Sequence, residues 1–364
     1  MTEIQSLTLT EEQQALRDIA RTFLADRLGP DVVRELMAGE VGFDPAHWAE
    51  VAGMGWQAMV VPEEHGGAGY GWTELAVLFE EAGRAIAPLP LLSTAMGTAV
   101  LLSSGTDAQR AEHLPAIAAG ERRVAVAVDV PGADAQPAPT LRDGRLDGRV
   151  RHVVEGAAAD LVVVATPDAA VLVDPAADGV EVTAMEVLDL TRPQAELSFD
   201  AVVVDDDAHL AGSPAEVVDR ARTVGATLVA NEQVGTAAAV HEMAVEYART
   251  RTQFGRAIGS FQAIKHLLAD DLVALEAARS VAWHAARALA ADDADEIAVA
   301  TPMAASLCNE VAAKLAADTI QVHGGIGFTW EHDAHLYFKR ASSSRLLFGT
   351  PKAWRARLAD TLGL

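Results

Sequence analysis

Three arginines, Arg249, Arg251 and Arg256, fall within eight positions of the segment ARTRTQFGRAIGSFQ. Guanidinium forks match the paired oxygens of a phosphate or pyrophosphate. The same cations at the end of a long helix also complement the negative pole of its dipole, so both readings stand. A second segment, Gln321-Val322-His323-Gly324-Gly325-Ile326-Gly327-Phe328, brings backbone without Cβ atoms close to any anion, and it equally suits a helix C-terminus. The run HGGAGYG (His65 to Gly71) follows no predicted strand, so it lacks the context of a dinucleotide fingerprint and reads as a loop. His332 and His335 supply two metal ligands without an HExxH order, and Asp333 suits a helix start; no metal site is expected. With no G-x-S-x-G elbow, and with Cys308 inside an apolar helical run, nucleophilic hydrolysis has no support.

These segments need elements to hold them. Thr10 with Gln13 predicts a capping box, followed by Leu16, Ile19, Ala20, Phe23 and Leu24 at helical spacing. From about Arg123 the chain turns to short valine-rich runs, at 124–130, 150–154, 161–165, 170–173, 180–185 and 197–204. The pairs Asp143-Gly144, Asp147-Gly148 and Asp178-Gly179 are expected as turns between strands of an antiparallel sandwich or barrel. Ser213-Pro214-Ala215-Glu216 then starts a long helix, and helices are expected at 214–250, 261–290, 296–323 and 333–347, with a last one from Thr350-Pro351. The fold class is α+β, with an N-terminal helical domain over 1–122, a middle β-barrel or sandwich domain over 123–212, and a C-terminal four-helix bundle over 213–364.

Composition narrows the function. Half of the 364 residues are hydrophobic and 22% are charged, which suits a packed core. Lys+Arg 28 against Asp+Glu 52 gives a net charge of -24, which repels a phosphate backbone; nucleic acid is not an expected partner. One cysteine excludes an intramolecular disulfide framework and fits a reducing compartment. No run has the length of a membrane span and the N-terminus lacks a signal-peptide pattern, so a cytoplasmic protein without a membrane partner is expected.

The motif Tyr247-Ala248-x-x-Arg251-x-Gln253-Phe254-Gly255-x-x-Ile258-x-x-Phe261-Gln262, with Gln321-x-x-Gly324-Gly325-x-Gly327-Phe328 about sixty residues later, strongly resembles the acyl-CoA dehydrogenase family. Pro62-Glu63, Gly66-Gly67-x-Gly69 and Glu80-Glu81-x-Gly83 are similar to that family's N-terminal domain. The resemblance covers essentially the whole chain and implies FAD as cofactor, an acyl-CoA substrate and electron-transferring flavoprotein as acceptor. It further implies that Arg251, Gln253, Phe254, Gln262, Gln321, Gly324 and Gly325 meet the ADP half of a flavin whose ring belongs to a neighbouring subunit.

The resemblance fails on the other side of the chemistry. The family's carboxylate base precedes Gly-Thr near the C-terminus, where Phe348 stands before Gly349-Thr350; the alternative base position on the helix before the RxQFG motif falls on Gly225. The Asp and Arg that hold CoA fall on Thr223 and Ala226, although Asp219 and Arg222 repeat their spacing one turn earlier. Asp129-Val130-Pro131-Gly132 replaces the Thr-Glu-Pro flavin loop, and Val150-Arg151-His152-Val153-Val154 replaces Lys-x-Trp-Ile-Thr. No catalytic residue is therefore assigned. The pattern resembles the base-lacking subunit of the heteromeric α2β2 enzymes of actinobacterial sterol side-chain breakdown, whose partner carries the glutamate. The alternatives are a self-sufficient homomer with a relocated base, Glu232 being the candidate seven residues after Gly225, and a flavin-free structural or regulatory subunit. A flavin monooxygenase on this scaffold fits the motifs less well.

Overall fold

A computed structural model describes residues 9–39, 41–128 and 137–364. The Thr10 hydroxyl accepts the Gln13 N–H at 3.1 Å while the Gln13 side chain accepts the Thr10 N–H, so the expected capping box opens α1 (Glu11–Arg27). There follow α2 (Pro30–Leu36), α3 (Pro45–Gly53), α4 (Trp72–Arg84), α5 (Leu91–Ser104) and α6 (Asp107–Ala118). The HGGAGYG run is a loop, as expected, with Gly66 and Gly69 at positive φ.

The middle of the chain holds β1 (Val124–Ala127), β2 (Thr140–Arg142), β3 (Arg145–Val154), β4 (Leu161–Ala165), β5 (Ala170–Val173), β6 (Val180–Ala184) and β7 (Gln194–Val203). They form a three-stranded sheet, β1-β4-β5, and an antiparallel four-stranded sheet, β2-β3-β7-β6. Between them lies a core of Val153, Val162, Val164, Val171, Leu197 and Phe199. One pairing departs from the expected antiparallel pattern: β1 runs parallel to β4. Parallel neighbours need a long crossover, and the stretch containing β2 and β3 supplies it. Asp143-Gly144 makes the β2–β3 turn with both residues at positive φ. Asp147-Gly148 does not turn the chain. It lies inside β3 at a register shift, with Gly148 at φ 125 and the Asp147 carboxylate accepting the Ala201 N–H at 2.9 Å.

The C-terminal part follows the expected helices closely, as α7 (Pro214–Thr250), α8 (Gln262–Ala291), α9 (Ala294–His323), α10 (Ala334–Ser344) and α11 (Pro351–Leu362). Between α7 and α8 sits a small hairpin of β8 (Thr252–Gln253) and β9 (Arg256–Ala257). Ser213 starts α7 reciprocally: its hydroxyl accepts the Glu216 N–H, and the Glu216 carboxylate accepts the Ser213 N–H at 2.9 Å. Four helices, α7 to α10, meet over a seam rich in alanine, including Ala237, Ala278, Ala282, Ala304, Ala312 and Ala341. Among the described residues, no helix is long and apolar enough to cross a membrane.

Contacts divide the chain into two compact units. One comprises Met1–Val33, Trp72–Ala87 and Thr227–Leu364; the other comprises Arg34–Gly71 and Pro88–Ala226. Within the first unit, α4 and α7 touch backbone to backbone. A Cβ on Gly83 would lie 2.0 Å from the Glu232 carbonyl oxygen, and one on Gly235 would lie 1.7 Å from that of Glu80. The Thr236 hydroxyl bridges the same contact by donating to the Gly83 carbonyl at 3.2 Å. Gly235→Ala must therefore push two rigid helices apart, at an expected cost of about 1–3 kcal/mol in urea unfolding. A stability unchanged from wild type would mean that the helices separate without loss.

Candidate functional site

The two anion-suited segments meet at one end of the helical unit. Val322 and His323, at the end of α9, pack against Ala244, Tyr247 and Ala248 of α7 and Leu268 of α8. His323 stacks on Tyr247 with ring centroids 4.3 Å apart, and His332 lies on the ring as well. The His323 Nδ1–H donates to the Thr319 carbonyl at 2.7 Å, and burial holds its pKa below the ordinary histidine value, so the ring packs as a neutral group at neutral pH. This aromatic stack ties the α9 terminus to the helix that leads into the hairpin.

The hairpin itself is built for presentation. Phe254 at φ 51 and Gly255 at φ 77 form its two-residue turn, in which both central residues are left-handed. For a phenylalanine that conformation is strained, yet the residue is 92% exposed, its ring standing edge-on to Phe261 with centroids 6.2 Å apart. Arg251 and Gln253 are exposed, Arg251 closing the loop by accepting the Ile258 N–H on its carbonyl at 2.8 Å. Arg256 instead lies over the Phe261 ring at 4.1 Å, and Arg249 is exposed near the end of α7. Gln262, the first residue of α8, and Gln321, in the last turn of α9, are exposed.

Gly324 ends α9 at φ 65, ψ −141, a region that only glycine adopts readily. Nothing lies within 4 Å of a Cβ built on Gly324 or Gly325, so the Cα faces of both are open. Exposed guanidinium, exposed amides and an uncovered glycine pair fit the nucleotide half of FAD.

The positions expected to carry the flavin ring, CoA and proton have other occupations. Phe348 is buried; Gly349 takes φ 129, and the Thr350 hydroxyl accepts the Ala353 N–H at 3.2 Å to cap α11. Gly-Thr therefore has a structural use without a base before it. Gly225, Thr223 and Ala226 are buried inside α7. Glu232 is buried too, and its carboxylate accepts from Arg340 Nη1 at 2.6 Å, both side chains being almost wholly out of water. Arg340 also reaches the Ile86 carbonyl at 3.5 Å. Asp129-Val130-Pro131-Gly132 lies outside the described residues.

Sequence reasoning passed over Arg340, although its place four residues after Leu336 puts it on the buried face of α10. The other early candidates have local roles. The His332 ring accepts the Ala334 N–H at the start of α10, and His335 is buried edge-on to Trp330 at 4.7 Å. Cys308 donates to the Ala278 carbonyl at 3.3 Å, and burial pushes its thiol pKa well up, which suppresses the thiolate.

A model of the acyl-CoA dehydrogenase N-terminal domain matches residues 10–121, and one of the acyl-CoA dehydrogenase C-terminal domain matches residues 215–363. Acyl-CoA dehydrogenase IpdE2 of Mycobacterium tuberculosis is 36% identical over 355 residues, covering 97% of this chain and 98% of that protein. Acyl-CoA dehydrogenase FadE34 of the same organism is 35% identical over 366 residues, 96% of this chain but 48% of that protein, so the chain spans about half its length. Among solved structures, the ChsE4-ChsE5 complex from Mycobacterium tuberculosis has a TM-score of 0.90 at 28% identity, with 99% of each chain covered.

Proposed function

We propose, for a chain that belongs to the acyl-CoA dehydrogenase family, that it is the base-lacking subunit of a heteromeric, FAD-dependent enzyme of α2β2 type. In this reading Arg251, Gln253, Phe254, Gln262, Gln321, Gly324 and Gly325 hold the ADP side of a flavin whose ring sits in a homologous partner. That partner carries the catalytic glutamate, the CoA site and the ring pocket. Bound FAD would supply hydride-acceptor chemistry at the β-carbon of the acyl thioester, and the partner's carboxylate would receive the α-proton. This chain's own work is to neutralise the pyrophosphate through the Arg251 fork and to admit it at the uncovered glycines. Two flavins per four subunits, a sterol-derived acyl-CoA, electron-transferring flavoprotein as acceptor and a cytoplasmic setting complete the proposal.

The observation that carries it is a contrast. Arg251, Gln253, Phe254, Gln262, Gln321, Gly324 and Gly325 are exposed, while Phe348, at the position read as the base's, is buried. Phenylalanine cannot accept a proton. The relocated base finds no support in Glu232, whose carboxylate is bound to Arg340 at 2.6 Å. A flavin-free subunit would have no use for a strained, exposed Phe254 beside Arg251.

The test is expression alone and together with a candidate homologous partner subunit, followed by flavin content, oligomer mass and acyl-CoA oxidation. The expected result is flavin and activity in the complex alone, with activity abolished by changing the partner's glutamate. Flavin and turnover in this chain by itself would overturn the proposal.

A further inference from the structure

The glycine turn that ends α9 is seated on a histidine. Gly324 follows His323 directly, and the chain folds back so that a Cβ on Gly327 would lie 3.2 Å from the His323 Cβ and 3.1 Å from the Ile320 carbonyl oxygen. The His323 ring centroid lies 4.3 Å from that of Tyr247 on α7 and 4.3 Å from that of His332. Whatever displaces this ring displaces Gly324 and Gly325 with it.

The hydrogen bonds hold both histidines as neutral rings. Because the His323 Nδ1–H donates to the Thr319 carbonyl at 2.7 Å, a second proton can enter only at Nε2. His332 accepts the Ala334 N–H on Nδ1 at 3.1 Å, so a second proton there would displace the bond that starts α10. The titratable neighbours are few. On α7 they are Tyr247 and, further back, His241, whose Nε2–H donates to the Leu268 carbonyl at 2.9 Å. From α8 the cluster receives Ile264, Leu267 and Leu268, none of which titrates, and before α10 stands His332, flanked in sequence by Glu331 and Asp333. Burial is the largest influence on the His323 pKa; the bond to Thr319 opposes it, His332 adds to it, and the ring is left below the ordinary histidine value. Unfolded, the ring takes its proton at about pH 6.5, so the folded stack is secure above that pH and loses stability as pH falls through the folded value.

We propose that His323 is a positioning residue of the nucleotide site: stacked and neutral, it holds Gly324-Gly325 open for the pyrophosphate, and a proton on its Nε2 draws the ring toward water and unseats the turn. The inference rests on the flavin reading and adds to it a dependence of flavin retention on pH.

Two measurements test it. In the full chain alone, hydrogen exchange follows the Gly324 N–H, which donates to Gln321, and the Thr329 N–H, which donates to Ile326. In the assembled complex, FAD affinity is titrated over the same range, about pH 7.5 to about pH 5.5, which spans the free histidine value. Across it, exchange protection should fall, and FAD affinity should fall about threefold or more. His323→Gln, whose amide can donate to Thr319 without titrating, should abolish both changes. If that variant does not fold, His332→Asn keeps an acceptor for the Ala334 N–H while removing the second imidazole, and it should move the wild-type profile to higher pH. A change of neither quantity with pH, loss of protection with constant affinity, or a wild-type profile in the folded variants would overturn the role of His323. A complex that holds no flavin at either pH would strike the flavin reading itself, and this role with it, so the two failures are distinct.

Discussion

Arg340→Met is expected to destabilise the protein by about 3–5 kcal/mol, because it leaves the Glu232 carboxylate buried without its cation. The pair lies almost wholly out of water, its Nη1–Oε1 distance is 2.6 Å, and α10 is fastened through it to α7. Removing both charges should be far milder. The double variant Glu232→Leu/Arg340→Met dispenses with two desolvation penalties at once, so its stability should lie well above that of Arg340→Met. Urea unfolding of the three proteins gives the comparison. A double variant as unstable as the single one would show that the groups act separately, and would reopen a chemical role for Glu232.

Arg251→Ala is expected to weaken FAD retention about ten- to hundredfold, the loss that follows when charged hydrogen bonds to a phosphate are removed. The side chain is exposed beside the hairpin, so the substitution should leave the fold intact. Flavin-to-protein ratio after gel filtration of the assembled complex reads the effect, with the thermal midpoint of the apoprotein as control. The base would then be on one polypeptide and the residue that governs flavin content on another. Unchanged flavin content would remove Arg251 from the nucleotide site.

Local chemistry made much of this legible in the sequence. The Thr10–Gln13 box and the Ser213-Pro214-Glu216 start are complete within four residues, and both helices begin where those residues place them. The segments proposed to face the nucleotide stand out for the same reason, since each motif is contiguous. What needed long-range pairing was not. The parallel β1–β4 pair depends on a crossover of more than thirty residues, and Asp147-Gly148 resembles a turn until β7 is laid beside it. Glu232 and Arg340 are separated by 108 positions, so the glutamate looked available as a base.

The left-handed Phe254 turn has a thermodynamic corollary. A tip already fixed before contact has little left to order, so docking through it should carry a small conformational-entropy penalty and be governed by desolvation of the ring. In calorimetry, assembly of the complex would then show the negative heat-capacity change of apolar burial without the signature of coupled folding.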